Sequence, residues 1–339
     1  MPPNLTPRQI LAGLLKGVAQ PRPLWMPIVF SLGSKTENLS LRAFFSNATK
    51  ISNAMRQITG HLRSDGLSCY FDPCLEAEAL GGELNWNPET QRPALGWPST
   101  EKGELPDDLR EPEDAMKRGR VAIAIEVIRR LKSLQREDAL LTAGVTGPFT
   151  LAALITQSER ESALALPEAA LEVAASMIVR LSAAFAEAGA NVIFIREEVL
   201  PPFEAGSCEA WAERLAPAFN IIRFYQSLPM LQIVDSVSFV GINEAIRQQN
   251  LDCVVCHTVE FPPSIPDSLS GDVMRGLALP PEIFLPEKVD DRDLVMFLDG
   301  VISSLRPSIV TTAGDVPVDI DMKRLMRISE RIRGYEWGA

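Results

Sequence analysis

Apolar residues follow two periods along this chain, short β-branched runs and longer stripes at helical spacing. The stretch 308–317 shows the unit most clearly: an apolar run ends in the turn Gly314-Asp315, and an amphipathic segment follows Pro317. This pattern is typical of a strand, a loop and a helix in an α/β fold. The same unit recurs upstream, which predicts a repeated β/α architecture.

Eight runs predict strands, and they lie at 24–30, 67–71, 139–145, 191–198, 230–235, 252–258, 273–279 and from 308 onward. Helical spacing predicts helices at 37–63, 113–136, 167–188, 208–227, 241–250 and 291–305. Strands that alternate with helices favour an eight-stranded (β/α)8 TIM barrel, formed as a single domain over residues 1–339. An open doubly wound sheet is the alternative, but no glycine-rich dinucleotide or Walker fingerprint supports it.

The regular alternation is interrupted after the second strand. Residues 76–100 are rich in Gly, Asn, Pro and Trp, with a short β-like piece at 81–86. Such composition predicts a small β excursion that decorates the barrel and is a candidate lid.

Composition narrows the class of protein. The 339 residues are 46% hydrophobic and 23% charged, with a net charge of -11, so sequence-independent binding to nucleic acid or to an anionic membrane is not expected. No apolar run approaches the length of about 18 residues that a membrane span needs, and the N-terminus lacks a leader pattern. We therefore expect a cytoplasmic protein.

The five cysteines predict reduced thiols, because an odd number scattered through a long chain does not suit a disulfide framework. The run 253–257 (CVVCH) has the spacing of covalent haem attachment, but that chemistry belongs to exported proteins. Residues three apart on a strand point to opposite faces, so a zinc pair is also disfavoured. Cys253 and Cys256 are predicted to be small buried side chains.

Polar residues collect where the predicted strands end, which is where (β/α)8 barrels place their reactive groups. The candidates are Asp72, Gly147, Pro148, Phe149, Arg196, Glu198, Gln232, Asp235, His257, Glu260 and Asp315. Each alone is also explained as a helix cap or a solvated turn residue. Several on one rim favour an active site.

Four segments resemble the uroporphyrinogen decarboxylase superfamily, and above all its branch of cobalamin-dependent methyltransferases. They are 6–8 (TPR), 71–81 (FDPCLEAEALG), 147–152 (GPFTLA) and 312–317 (TAGDVP). The resemblance covers most of the chain and implies the barrel, a methyltransferase activity and a corrinoid carried by a partner protein.

Two departures from the family pattern change what the resemblance implies. The decarboxylases carry an Arg-Gln-Ala-Gly-Arg signature near the N-terminus, whereas residues 30–34 here contain no arginine to hold propionates. Thiol-activating methyltransferases hold zinc with a His-x-Cys pair and a later Cys, and these positions fall on Gln232, Val234 and near Gly314. Zinc is therefore not expected, and no metal ligands are assigned.

The expected function is methyl transfer between a methyl donor or a methyl-corrinoid protein and a non-thiol acceptor such as N5 of tetrahydrofolate. His257, Glu198, Asp72 and Asp315 are the predicted catalytic residues, because such transfer needs proton movement. The other candidates on the rim are predicted to bind substrate or cofactor. Two alternatives stay open: a cofactor-independent decarboxylase of a tetrapyrrole or small aromatic acid, and a non-catalytic barrel that binds a corrinoid or tetrapyrrole. A homo-oligomer is also left open.

Overall fold

Eight parallel strands form one sheet that curves into a nearly closed barrel. The computed structural model describes residues 5–87, 93–98, 100–134, 139–158, 166–200, 207–234, 246, 249, 253–258 and 274–337. The barrel strands are β1 (Leu24–Trp25), β2 (Gly66–Tyr70), β5 (Leu140–Thr146), β6 (Val192–Glu197), β7 (Leu228–Ile233), β8 (Val254–Thr258), β9 (Met274–Leu279) and β10 (Ile309–Thr312). Hydrogen-bonded neighbours follow the order β1-β10-β9-β8-β7-β6-β5-β2, which confirms the predicted (β/α)8 barrel.

Asp65 draws the two ends of this sheet together. Its backbone N–H donates to the Trp25 carbonyl over 2.9 Å, and its side chain accepts from the Trp25 N–H over 2.9 Å. Arg22 completes the junction with two bonds to the same carboxylate, at 2.7 and 2.8 Å. The predicted first strand, 24–30, was too long: Pro27 has no N–H to donate, and β1 ends at Trp25.

Helices surround the sheet, and their bounds follow local capping. They are α1 (Pro7–Leu14), α2 (Leu32–Thr36), α3 (Leu41–Phe45), α4 (Ala48–Leu62), α5 (Leu75–Leu80), α6 (Pro112–Ala115), α7 (Gly119–Leu134), α8 (Pro148–Ile155), α9 (Glu168–Ala188), α10 (Ser207–Phe224), α11 (Asp291–Leu305) and α12 (Met322–Arg333). The single helix predicted at 37–63 is two helices, because Ser40 and Asn47 each accept a backbone N–H as N-caps of α3 and α4. Gly189 ends α9 at φ +115°, as predicted.

The interruption after β2 contains more helix than the sequence predicted. Helix α5 occupies the start of the 76–100 segment, and an antiparallel hairpin of β3 (Glu83–Trp86) and β4 (Pro93–Gly96) follows it. Trp86 packs edge-on against Phe45, with ring centroids 5.8 Å apart, so the hairpin lies against the barrel mouth. The extent of a single domain over 1–339 stays a prediction.

Two further features of the packing bear on the predictions. Helix α9 is long and apolar enough by composition to span a membrane, but its apolar side packs against α8 and α10 inside the protein. Cys253 and Cys256 are both buried, as predicted. The predicted helix at 241–250 lies outside the described residues except for 246 and 249.

Candidate active site

A cavity of about 760 Å³ opens at the carboxyl ends of the strands. Its walls come from the loops after β1, β2, β6, β7, β9 and β10, together with α3 and the hairpin. The polar lining residues are Ser31, Asp72, Cys74, Arg196, Glu198, Glu282, Thr312 and Asp315, and the aromatic ones are Phe45, Phe71 and Phe284. Asp72, Arg196, Glu198 and Asp315, predicted from sequence to share a rim, therefore lie around one space.

The end of β6 supplies the cationic group of this cavity. Arg196 Nη1 forms an ion pair with Glu198, and Arg196 Nη2 donates to the Ala313 carbonyl over 3.0 Å. The guanidinium also lies over the Phe71 ring, 5.8 Å from its centroid. Three elements thus hold Arg196 in one orientation, in which it neutralises Glu198.

The loop after β10 carries Asp315 to the opposite wall. Asp315 Oδ2 accepts the Ser31 N–H over 2.9 Å, so it ties the last loop to the loop after β1. Thr312 reinforces the join, since its hydroxyl oxygen accepts the Ile28 N–H over 3.0 Å and donates to the Gly314 carbonyl over 2.6 Å. These bonds close the barrel mouth across its first and last strands.

Asp72 lies in a buried ion pair that sequence reasoning missed. Arg120, in the first turn of α7, pairs with Asp72 and also donates from Nε to Glu78 over 2.6 Å. Its guanidinium lies between the rings of Phe45 and Trp86, at 5.7 and 5.9 Å from their centroids. Burial raises the pKa of Asp72, and Arg120 opposes that rise. The rise in the pKa of Asp72 is therefore caused by loss of water around its carboxylate.

The loop Gly147-Pro148-Phe149 binds a protein carboxylate. Glu197 accepts the N–H groups of Phe149 and Thr150 at 3.2 and 3.0 Å, the Thr150 hydroxyl at 2.6 Å and the Trp211 indole N–H at 3.1 Å. A Cβ on Gly147 would lie 2.2 Å from the Glu197 carboxyl carbon, so only glycine leaves room for this contact. Burial raises the pKa of Glu197 to about 7, against these four donors. A role of the loop in substrate binding stays a prediction.

A second buried carboxylate lies at the strand ends. Glu76 Oε1 accepts the Thr146 N–H over 2.7 Å, and Glu76 Oε2 accepts the Thr146 hydroxyl over 2.9 Å. Burial raises the pKa of Glu76 to about 7. The contact joins α5 to the end of β5.

The three positions that the family resemblance assigned to zinc ligands do meet at the cavity. Val234 and Gly314 line it, and Gln232 Nε2 donates to the Thr312 carbonyl over 2.6 Å. These residues offer an amide, an isopropyl group and no side chain, so they do not fit a zinc ion that needs thiolates and imidazole. Within the described part of the chain, His, Cys, Asp and Glu form no group of three suited to a metal ion.

The remaining candidates are described only in part. The backbone of His257 pairs in register with Ile233 and Leu277, whereas Cys256 pairs with Gln232. The His257 side chain, Asp235 and Glu260 lie outside the described residues. Their predicted roles stay predictions.

The missed residues carried weak sequence signals. Helix α7 runs back toward the start of β5, so its first turn, and Arg120 with it, lies beside the strand ends. Glu76 follows the Asp72-Pro73 turn by one helical turn, and Glu282 follows the end of β9. In each case the nearness of the residue to a predicted strand end was the one sequence feature that could have marked it as a site residue.

Comparison with known proteins gives a family and a set of relatives. The model of the uroporphyrinogen decarboxylase (URO-D) family matches residues 6–218. A methylated-thiol–coenzyme M methyltransferase of Methanosarcina mazei is 28% identical over 204 residues, which are 56% of this chain and 51% of that protein. A methylcobamide:CoM methyltransferase of Methanosarcina barkeri is 27% identical over 133 residues, 37% of this chain and 38% of that protein. The chain thus spans about half the length, or less, of these curated relatives.

The fold has a close counterpart among solved structures. A methyltransferase from Methanosarcina mazei superposes with a TM-score of 0.75, at 16% identity, over 97% of this chain and 99% of that one. At this identity the likeness shows a shared barrel fold.

Proposed function

This chain belongs to the uroporphyrinogen decarboxylase family, and from that premise we propose that it is a methyltransferase. In this proposal it moves a methyl group between a corrinoid on a partner protein and a small molecule that reacts through an atom other than thiol sulfur. Support for methyl transfer comes from two relatives that are named coenzyme M methyltransferases, one of them acting on a methylcobamide. The corrinoid is treated as a substrate that the partner brings to the barrel mouth.

The proposal that the methyl group does not go to a thiol rests on three residues, Gln232, Val234 and Gly314. Zinc assists methyl transfer to a thiol because it keeps the acceptor sulfur deprotonated. Val234 and Gly314 line the cavity, Gln232 is bonded to Thr312 in its wall, and none of the three carries a thiol or an imidazole. Such a site favours a methyl carrier that needs no metal-bound thiolate, for example a nitrogen such as N5 of tetrahydrofolate.

The ionisable groups of the cavity suit proton movement at a nitrogen or oxygen. The corrinoid supplies a cobalt–methyl bond whose electron pair stays on cobalt when the methyl group leaves. A secondary nitrogen that accepts the methyl group must then lose its proton, and Glu198 and Asp315 lie on the wall as bases. Arg196 fixes Glu198 through their ion pair. Asp72, His257, and the predicted binding residues Asp235 and Glu260 belong to the same proposal.

Methylcob(III)alamin with purified protein tests this function. We expect loss of the cobalt–methyl absorbance with tetrahydrofolate or an amine, little loss with coenzyme M, and no stoichiometric zinc by metal analysis. Glu187→Gln, an exposed change on α9, is the matched control. The proposal is wrong if the methyl group is transferred only to thiols and if a metal chelator abolishes that transfer.

Two other readouts separate the alternatives. Release of carbon dioxide from a pyrrolic or aromatic acid would identify a decarboxylase. A spectral change of added cobalamin without turnover would identify a binding barrel. A cytoplasmic location and a corrinoid-protein partner remain parts of the proposal.

A further inference from the structure

Carboxylates outnumber cationic groups along the cavity wall. Among the described lining residues, the carboxylates are Asp72, Glu198, Glu282 and Asp315, and the one cation is Arg196. Arg120 pairs with Asp72 from behind and also with Glu78, so five carboxylates stand against two guanidinium groups when this pair is included. A cleft with such an excess focuses a negative potential and concentrates cations.

Glu282 is the carboxylate with the least compensation. It lies half-buried in the short 3₁₀ turn Pro281–Phe284, directly after β9. Its carboxylate makes neither an ion pair nor a hydrogen bond within the part of the chain that the structure describes. A ligand with positive charge at this wall supplies the missing partner.

Aromatic rings line the same cavity beside these carboxylates. Phe45 and Phe71 each hold a guanidinium over one ring face, at 5.7 and 5.8 Å from the centroid. Phe284 lines the wall two residues from Glu282. Aromatic faces attract cations through the ring quadrupole, and combined with carboxylates they recognise quaternary ammonium groups.

A buried amide oxygen lies behind the cavity wall. Gln232 is fully buried, and its Nε2 is bound to the carbonyl of Thr312, which lines the cavity. Within the part of the chain that the structure describes, its Oε1 has no hydrogen-bond partner. The oxygen adds negative partial charge close to the wall, which favours a cation over an anion in the cavity.

We propose that the small-molecule methyl carrier of this site is a quaternary ammonium compound whose cationic head lies against Glu282 and Phe284. The inference names the substrate class of the methyl transfer proposed above and rests on that function for the chemistry. Binding of the cation rests on the cavity alone.

The transfer balances without a proton and without a metal-bound thiolate. One N–CH₃ bond breaks with both electrons left on nitrogen, and a CH₃–Co bond forms from the electron pair of the partner's cobalt(I) corrinoid. The products are a neutral tertiary amine and a methylcobalt(III) corrinoid. In the reverse direction the tertiary amine is the non-thiol acceptor, which agrees with Gln232, Val234 and Gly314 at the zinc positions.

Calorimetric titration of the full chain with choline and with 3,3-dimethylbutan-1-ol tests the ligand class. The two molecules share a shape and differ in charge, because carbon replaces nitrogen in the second. We expect choline to bind at least about tenfold more tightly, and added salt to weaken choline binding only. Equal affinity of the pair, or no binding of choline, overturns the inference.

Variants locate the cation. Glu282→Gln is expected to weaken choline binding about tenfold and to leave the alcohol unchanged, since it removes one charge at constant shape. Phe284→Leu is expected to weaken choline about threefold through loss of the ring face. The control Glu187→Gln removes the same charge from exposed α9 and should change neither ligand. If neither cavity variant changes the affinity for choline, the proposed position of the cation is wrong. The effect of salt on choline binding to the unmodified protein tests recognition of charge without any variant.

A parallel assay separates this inference from the proposed function. Formation of methylcobalamin from choline and cob(I)alamin supports the role of the quaternary ammonium compound as methyl donor. Charge-selective binding of choline without formation of methylcobalamin overturns that donor role. Reaction of methylcob(III)alamin with an uncharged acceptor, together with no choline binding, overturns the ligand class and leaves methyl transfer standing.

Discussion

Glu197 and Glu198 are neighbours in sequence and lie in opposite environments. Glu197 points to the helix layer, where four donors from α8 and α10 surround a buried carboxylate. Glu198 lines the cavity and pairs with Arg196. The comparison teaches that carboxylates at the strand ends have two tasks. Those on the outer side hold helices to the barrel, and those on the inner side are available for chemistry.

Other residues fall into the same two groups. Glu76 joins Glu197 in the group that holds helices, because its bonds to Thr146 tie α5 to the end of β5. Asp315 joins Glu198 on the inner side. Asp72 stands between them, because it lines the cavity and is also held in the buried pair with Arg120.

The largest expected effect tests the outer group. Glu197→Ala leaves the N–H groups of Phe149, Thr150 and Trp211 without acceptors and removes the tie between α8 and β6. We expect the free energy of unfolding to fall by about 3 to 5 kcal/mol, since each buried donor left unpaired costs roughly 1 to 3 kcal/mol. Chemical denaturation measures it, with exposed Glu187→Ala as a control that changes stability by less than about 0.5 kcal/mol. A loss below about 1 kcal/mol would place Glu197 outside the structural group.

Changes in the inner group, Glu198 and Asp315, should affect activity strongly and stability little. Glu198→Gln and Asp315→Asn keep shape and hydrogen bonding but remove charge, so we expect methyl transfer to an acceptor nitrogen that must lose a proton to fall roughly 10²-fold, with little change in thermal unfolding. Methyl-transfer rates and melting curves on the same preparations provide the measurement. Unchanged rates in both variants would return these residues to turn and capping roles.

Loss of Asp72 is expected to lower stability as well as to affect chemistry. Asp72→Ala leaves buried Arg120 with Glu78 as its remaining carboxylate partner, and breaking a buried ion pair in this way typically costs about 3 to 5 kcal/mol. Asp72→Asn is the better probe of chemistry, because it keeps an acceptor for the Cys74 N–H.

The sequence was sufficient for the barrel because its strand and helix periods repeat and end at clear signals. The end of α9 at Ala188 agrees with the predicted helix 167–188, and it follows from a local backbone rule because Gly189 takes the left-handed conformation. The inner residues at strand ends, such as Arg196 and Asp315, were also found, since barrel topology alone brings strand ends to one rim.

Contacts between distant segments were beyond this reasoning. Arg120 meets Asp72 across 48 residues, and nothing near either one encodes that approach. The roles of Glu197 and Glu198 could not be separated either, because the face on which a strand residue lies depends on the register of the whole sheet. The split of the predicted 37–63 helix depended on which polar residues act as caps.

A pH experiment tests whether Glu76, the second carboxylate that holds a helix, is protonated in the folded protein. Burial raises the pKa of Glu76 from 4.5 to about 7, so the folded state favours the protonated form. The stability that this preference contributes is fully present below pH of about 4.5 and is lost as the pH rises through about 7. Glu76→Gln resembles the neutral form, since its carbonyl can accept the Thr146 N–H and its amide can donate to the Thr146 hydroxyl.

At pH 8 we therefore expect Glu76→Gln to unfold with a free energy about 2 kcal/mol higher than the unmodified protein, and at pH 4 to equal it. Denaturation curves across this range measure the difference. A variant that is less stable at pH 8 would show that Glu76 is ionised and stabilised by its donors.

The smallest expected effect concerns Gln232, which is buried and is bonded to Thr312 in the cavity wall. Gln232→Met keeps the volume, loses the bond from Nε2 to the Thr312 carbonyl and removes the unpaired Oε1. One loss destabilises and the other relieves a desolvated acceptor, so the free energy of unfolding should change by less than about 1 kcal/mol. Denaturation with and without choline separates a structural role of Gln232 from a role in binding. If Gln232 contributes to ligand binding, choline should stabilise the Gln232→Met variant less than it stabilises the unmodified protein. A fall of several kcal/mol without ligand would instead assign Gln232 to the framework, with its Oε1 satisfied by ordered water.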